Sequence, residues 1–472
     1  MARYTHLKQV QEDIASGLIT CEHLVEYYAS RIKATNDLNI YVESYEEEAL
    51  QRAKELDEKY QTDPSSVGRL FGMVVSIKDL LCYEDHGVTA GSKILEGFKS
   101  LFSATGVQRL LDEDAIIIGR VNCDQFGMGS TNENSCYGPT KNGIDPTKVP
   151  GGSSGASAVA VQVDTCLISL GTDTGGSVRQ PAAFCGVLGF KPSYGRISRY
   201  GLLAYGSSFD QIGVLSNSIE DIAVALEVMA GPDDFDSTAS NQPVEAYIQQ
   251  LDFNKKAKIA YFPTAINHDS LDADVKQQTQ DLIAQMKEAG HTVEGVDFDY
   301  LDYIIPAYYV LTTAEASSNL SRYDGVRFGY RSPNATNFEE TYTLSRTEGF
   351  GTEVKRRIML GTFVLSSGYY DAYYSQAQKV RRLIRDKTDE IFKEYDFILM
   401  PSAPGLAWDI GAVNDDPVAM YLADVFTVQA NMAGIPAISI PIGTSKGLPI
   451  GVQLMANKFE EGKLLGFAKQ YV

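Results

Sequence analysis

Histidine is scarce in this 472-residue chain: His6, His23, His86, His268 and His291 are all there are, and only His86 lies near the glycine-rich stretch described below. A Ser-His-Asp constellation therefore has little to draw on. The six cysteines, Cys21, Cys82, Cys123, Cys136, Cys166 and Cys185, form no Cys-x-x-Cys pair and no metal-type spacing. Neither a metal site nor a disulfide framework is expected, and dispersed thiols in a long chain suit a reducing compartment. No apolar run approaches the ~18 residues of a spanning helix. The segment Met1 to His6 has no apolar core of signal-peptide type, so the expected location is cytoplasmic, with no membrane partner. Cations are outnumbered, 41 Lys and Arg against 61 Asp and Glu, for a formal charge of −20. This argues against wrapping of a phosphate backbone by this chain, though a partner subunit could carry the basic surface.

What is present is concentrated between Gly151 and Arg179. The stretch opens Gly151-Gly152-Ser153-Ser154-Gly155-Ala156-Ser157 and closes Gly171-Thr172-Asp173-Thr174-Gly175-Gly176-Ser177-Val178-Arg179. Upstream, Val74-Val75-Ser76-Ile77-Lys78 sets a lysine at the end of an apolar run. The surrounding pattern alternates strands and helices. Two short helices broken near Gly17 are expected over 5–34, and a charged helix over 44–60. Buried strands are expected at 70–81, 115–119, 166–170 and 186–190, with a small-residue helix over 156–163 between them. Loop-forming residues change the texture near 230–260. Beyond them come a strand at 258–262, a polar helix over about 271–289, and a strand-like entry to a Tyr-rich stretch at 296–309. A long helix over 368–396 follows, with Tyr369, Tyr373, Ala377, Val380, Leu383 and Ile384 on its apolar side, then strands at 397–401, 438–442 and 450–455. There is no internal repeat. The pattern predicts an α/β fold in one large domain, a mixed sheet covered by helices on both faces. Its parts are N-terminal helices (1–65), a core (66–230), and a middle and C-terminal portion (231–472).

A serine hydroxyl is a weak nucleophile until a neighbour takes its proton. His291, in a polar helix-to-strand connection, is poorly placed to do so. A lysine ordinarily holds its proton up to about pH 10.4, but burial lowers that value, and Lys78 sits where burial is expected. Thr174-Gly175-Gly176-Ser177 can aim successive backbone N–H groups at one point, an oxyanion hole. Asp173 and Arg179 flank this loop and can brace it. Each feature also has a plainer reading. Glycine- and serine-rich stretches are usually loops, and a lone lysine is usually at the surface. A phosphate cradle is disfavoured because no Gly-Lys-Ser/Thr follows.

Together, Lys78, Pro150-Gly151-Gly152-Ser153-Ser154-Gly155 and Gly171 through Gly186 resemble the amidase signature family over essentially the whole chain. The resemblance implies a Ser-cisSer-Lys triad: Ser177 as nucleophile, Ser153 as bridging serine after a cis peptide at Gly152–Ser153, and Lys78 as base, with Thr174, Gly175 and Gly176 around the oxyanion. Ala156 stands where the family commonly has glycine; in a helix that is harmless. Further segments, including Asp210-Gln211-Ile212-Gly213, Lys355-Arg356-Arg357 and Gly368-Tyr369-Tyr370-Asp371, are similar to the glutaminase subunits of glutamyl-tRNA(Gln)/aspartyl-tRNA(Asn) amidotransferases. That likeness implies glutamine as substrate and Arg357, Asp424 and Tyr308 as its binding residues. It also implies a heterotrimer with two other subunits, a larger one that binds ATP and tRNA and a small helical one. No metal or cofactor is implied in this chain; ATP and Mg2+ belong to the larger partner, which would also make the main tRNA contacts. The alternatives are a freestanding amidase with the same triad and a non-catalytic scaffold. Read without the resemblance, Arg357 is equally a helix-surface charge and Asp424 a cap or solvated acid.

Overall fold

A computed structural model describes residues 3–412 and 417–472; Met1 and Ala2 of the N-terminal segment read above lie outside the described residues. The strands are β1 (Tyr41–Ser44), β2 (Val74–Lys78), β3 (Ile116–Val121), β4 (Ile168–Asp173), β5 (Leu188–Lys191), β6 (Gln211–Ser216), β7 (Lys258–Tyr261), β8 (Thr292–Gly295), β9 (Phe397–Pro401), β10 (Ala437–Ser445) and β11 (Leu448–Ala456). Among the described residues they form one sheet in the order β1-β3-β2-β4-β6-β5-β10-β11-β9-β7-β8. β3, β2 and β4 run parallel, as do β9, β7 and β8. The strands between them pair antiparallel, and β1 closes one edge antiparallel to β3.

Side chains alternate across a strand, and here both faces are apolar. Phe397 and Leu399 of β9 enter one core, while Ile398 and Met400 enter another. This is why β9 reads as an unbroken apolar run rather than an alternating one. The helices Gly155–Gln162 and Glu461–Ala468 pack into the first core, Leu301–Asn319 and Gln376–Ile391 into the second. In Gly155–Gln162 every side chain up to Val161 is buried. Small residues let its start press onto β4: a Cβ on Gly171 would lie 2.8 Å from Ser154 Oγ. Ala156 is helical, as expected.

Three segments differ from the sequence pattern. The strand expected over 70–81 is confined to Val74–Lys78. Gly72 turns the chain in at φ +85°, and the N–H groups of Leu80 and Leu81 fold back onto Lys78 O. The stretch 296–309 is not strand-like: β8 ends at Gly295, and Tyr308 and Tyr309 belong to the helix Leu301–Asn319, which carries Pro306 inside it. The helix of 368–396 is interrupted. A π-helical turn over Tyr370–Ser375 precedes the α-helix Gln376–Ile391. The extra residue in that turn rotates the face. Ala377 and Ile384 are buried, but Tyr369, Tyr373 and Leu383 stay 43–47% exposed.

Candidate active site

β2 and β4 are parallel neighbours, so their last residues, Lys78 and Asp173, lie at the same edge of the sheet. Crevices beyond the carboxyl ends of such strands are where α/β folds place ligands. The turn at Ser153–Ser154 and the loop Thr174–Val178 meet there, tied by Ser154 N–H to Ser177 O at 3.1 Å.

Lys78 is fully buried, and its ammonium finds hydroxyls rather than a carboxylate: Ser153 Oγ at 2.7 Å, Thr172 Oγ1 at 2.8 Å and Ser154 Oγ at 2.9 Å. Burial pulls its pKa down to about 8, against the weaker upward pull of Asp124, Asp173 and Asp210. Ser154 Oγ donates to Thr172 O and accepts from Thr172 N–H, so its proton is committed. Once Lys78 is neutral, Ser153 is therefore free to donate to it where Ser154 is not. The Gly152–Ser153 peptide is cis. Ser177 is 6% exposed, and its hydroxyl has no hydrogen-bond partner among the described residues. His86 instead pairs with Glu48, and His291 accepts from Ala257 N–H.

Asp173 and Arg179 hold the loop from below. Asp173 takes Arg179 Nε and Nη2, both at 3.0 Å, and both groups are fully buried. Burial alone would raise the Asp173 pKa, but Arg179, joined by Lys191 and Asn431, outweighs it and holds the carboxyl at about 2. Asp173 Oδ1 also accepts the N–H of Gly176 at 2.9 Å. This changes the expected oxyanion set. The donors without a partner among the described residues are the N–H groups of Thr174, Gly175 and Ser177; that of Gly176 is spent on the brace. Gly176 has φ +141°, and a Cβ there would lie 2.1 Å from Thr427 Oγ1, so only glycine fits. Thr427 in turn donates to Gly175 O at 2.6 Å. Thr174 Oγ1 donates to Asp210 Oδ1 at 2.7 Å.

Beside the loop lie the three residues expected at the substrate end. Tyr308 is buried against Gly175, where a Cβ would meet its hydroxyl at 2.6 Å. Arg357 is not a helix-surface charge: it is 2% exposed, donates to Glu353 Oε1 at 2.7 Å and Tyr205 Oη at 2.8 Å, and lies 5.2–5.5 Å from the rings of Tyr205, Tyr309 and Tyr421. Asp424 is buried too. Its Oδ2 accepts from Ser130 Oγ at 2.7 Å, whereas Oδ1 has no hydrogen-bond partner among the described residues. Burial raises its pKa to about 7, more than Ser130 and Arg357 can offset. The turn from Asp424 to Thr427, closed by Thr427 N–H on Asp424 O at 3.0 Å, brings this acid to the back of Gly175 and Gly176.

Residues the sequence did not single out complete the arrangement. Thr172 and Ser154 lie within the two glycine-rich segments, beside the residues that stand out there. Thr427, Ser130, Tyr205 and Glu353 gave no signal, being ordinary residues in unremarkable contexts far from the glycine-rich stretch.

The geometry is thus a buried lysine, a serine against it, a second serine on a loop with free N–H groups, and a cation and an anion nearby. The amidase family model matches residues 23–465. The glutamyl-tRNA(Gln) amidotransferase A subunit of Prosthecochloris aestuarii is 49% identical over 474 residues, covering 99% of this chain and 98% of that protein. Its counterpart in Chlorobaculum tepidum is 49% identical over 464 residues, covering 98% of this chain and 96% of that one. Among solved structures, the corresponding protein of Thermotoga maritima matches at 36% identity with a TM-score of 0.78, covering 94% of this chain and 90% of that one. A 6-aminohexanoate cyclic dimer hydrolase, 23% identical with a TM-score of 0.84 over 99% of this chain and 96% of its own, shares the fold. With the family model and these relatives spanning almost its entire length, the chain belongs to the amidase family.

Proposed function

We propose that this chain is the glutaminase subunit of a tRNA-dependent amidotransferase, hydrolysing glutamine and passing ammonia to a partner. The observation that carries the substrate is the pair Arg357 and Asp424. Both are buried charges beside the serine loop, and Asp424 keeps one carboxylate oxygen without a partner among the described residues. A buried unsatisfied carboxylate oxygen is costly, and a bound ammonium would satisfy it. A guanidinium with its Nε and one Nη engaged still has N–H groups to offer a carboxylate. An α-amino acid presents both complements. Glutamine adds a side-chain amide able to reach Ser177.

In the proposed reaction neutral Lys78 takes the Ser153 hydroxyl proton as Ser153 takes that of Ser177. Ser177 Oγ bonds to the glutamine Cδ, and the oxyanion is held by the N–H groups of Thr174, Gly175 and Ser177. The proton then returns through Ser153 to the amide nitrogen, the C–N bond breaks and ammonia leaves. Water attacks the γ-glutamyl ester, giving up its proton along the same relay, and glutamate departs. The relatives' names support the rest of the reading. The main partner would be a larger protein that activates Glu-tRNA(Gln) with ATP and Mg2+, accompanied by a small helical one. The chain's −20 charge leaves most tRNA contact to that larger partner.

Ser177→Ala is expected to abolish glutamine hydrolysis and to prevent covalent capture of a γ-electrophilic glutamine analogue, read by intact-protein mass spectrometry. Capture at full stoichiometry by the variant overturns the nucleophile. Arg357→Ala separates this function from a freestanding amidase: it should cost glutamine turnover and spare a simple aliphatic amide. Equal loss on both substrates would count against an amino-acid substrate.

A further inference from the structure

A second concave site lies apart from the serines. A cavity of about 360 Å³ is walled by Arg381, Arg382, Arg385, Lys458, Tyr194 and Ser208. Positions 381, 382 and 385 share one side of the helix Gln376–Ile391. Lys458, from the loop after β11, adds a fourth cation. These four cations face one concavity in a chain of net charge −20.

The cations are not all compensated. Arg382 grips Asp386 and Arg385 lies 3.7 Å from Asp389, both exposed pairs of the kind worth less than about 1 kcal/mol and open to competition. Among the described residues neither Arg381 nor Lys458 forms an ion pair. Arg381 lies over the Phe209 ring at 3.9 Å and donates to Ser208 Oγ and O, each at 2.8 Å, and to Met432 O at 3.4 Å. Glu315 makes no ion pair here among the described residues, but it accepts both the N–H of Ser208, at 2.9 Å, and its hydroxyl, and so sets a partial counter-charge near Arg381. Among the described residues the Lys458 ammonium makes no hydrogen bond; partial desolvation, and then Arg385, pull its pKa down against the opposing pull of Asp389 and Glu461.

We infer that this cavity binds a phosphate group carried on a ligand of mononucleotide size. Guanidinium forks match phosphate oxygens bidentately, and the volume falls in the range of small-ligand pockets. Tyr194 supplies an aromatic wall. The same chemistry could come from a free nucleotide or from one nucleotide of an RNA backbone.

The test is isothermal titration of the full-length chain at low ionic strength with inorganic phosphate, AMP and a short single-stranded RNA. The wild type is compared with Arg385→Gln/Lys458→Gln and with Arg385→Lys/Lys458→Arg. At least one probe should bind, with affinity reduced about tenfold or more in the glutamine variant, the loss of one charge-assisted contact, and largely kept in the charge-retaining one. AMP or phosphate binding assigns a free ligand; RNA binding alone assigns the phosphate to a nucleic-acid backbone. Lack of binding by all three probes, or equal affinity in wild type and glutamine variant, overturns the site. Should the double variant fold poorly by thermal melt, Lys458→Gln alone, at an exposed side chain whose ammonium has no hydrogen bond among the described residues, gives the same reading.

Discussion

Replacing Lys78 by methionine tests the chemistry most directly, because the structure fixes what that lysine should be worth. Burial among three hydroxyls lowers its pKa from 10.5 to about 8. At pH 7 roughly one molecule in eleven then carries it neutral, against roughly three in ten thousand for a free lysine, a gain of about 300-fold in competent base. That factor corresponds to about 3 kcal/mol of the activation barrier at pH 7. The sign follows from the base being the neutral form: glutamine hydrolysis should climb with pH and level off above about pH 8. Lys78→Met removes the base itself, which is worth about 10²–10⁴-fold. Groups that act as one unit lose nearly everything singly. Lys78→Met, Ser177→Ala and the double variant should therefore be similar, all far below wild type. Methionine keeps the stem volume and removes a buried charge, so folding should survive, as circular dichroism will show. The assay is glutamate release at saturating glutamine from pH 6 to 10. A wild-type profile flat across this range, or a methionine variant within about tenfold of wild type, would falsify the base assignment.

Asp424 should set a second pH dependence, in KM. Its carboxyl loses its proton near pH 7 in the free protein, so KM for glutamine should fall as pH rises through that value. Asp424→Asn should raise KM about 10- to 100-fold, the loss of a charge-assisted contact, and flatten the trend; an unchanged KM refutes the role. Gly176→Ala puts a methyl 2.1 Å from Thr427 Oγ1 at a positive φ, so it should cost about 1–3 kcal/mol in thermal melts and lower kcat more than it raises KM. Asp173→Asn leaves Arg179 buried without its anion and should destabilise by about 3–5 kcal/mol. In the wild type this acid, held at about 2, contributes stability that is present above the ordinary carboxylate range and lost only as pH falls toward 2. Melting curves of the two proteins should therefore differ at pH 7 and converge in strong acid.

Much of this was legible in the order of residues because its causes are local. β9 and β4 announce themselves as apolar runs, since each is buried on both faces. The serine turn and the loop after β4 are written in glycines because close approach at Gly171 and the backbone angle at Gly176 permit nothing larger. Elements set by distant partners were harder to read. β6 carries Gly213 in its middle, which weakens the strand pattern, yet a Cβ there would meet Phe190 O of β5 at 2.6 Å. The helix over Leu301–Asn319 carries Pro306 and a tyrosine run, features that read as strand or loop until packing against two other helices overrides them.

The same division separates the reaction from its substrate. Lys78, Ser153 and Ser177 sit at strand ends and turns whose sequence is forced, so their positions follow from local rules. Arg357 and Asp424 are ordinary charges, and nothing within several residues of either distinguishes it from a surface group. Only burial does. Arg357 is enclosed by Tyr205, Tyr309 and Tyr421, from three separate stretches of chain, and Asp424 is met by Ser130 from nearly 300 residues away. Removing two charges from water is unfavourable unless each is paired or hydrogen-bonded. The charge of Arg357 is already paired within the protein, with Glu353, and Tyr205 accepts one further N–H, whereas Asp424 has no cation and keeps one oxygen open among the described residues. In the proposed function a cation brought by the substrate fills that opening. This asymmetry makes Asp424 the more sensitive reporter of substrate identity: amides lacking an α-ammonium should lose less than glutamine does when Asp424 is replaced by asparagine.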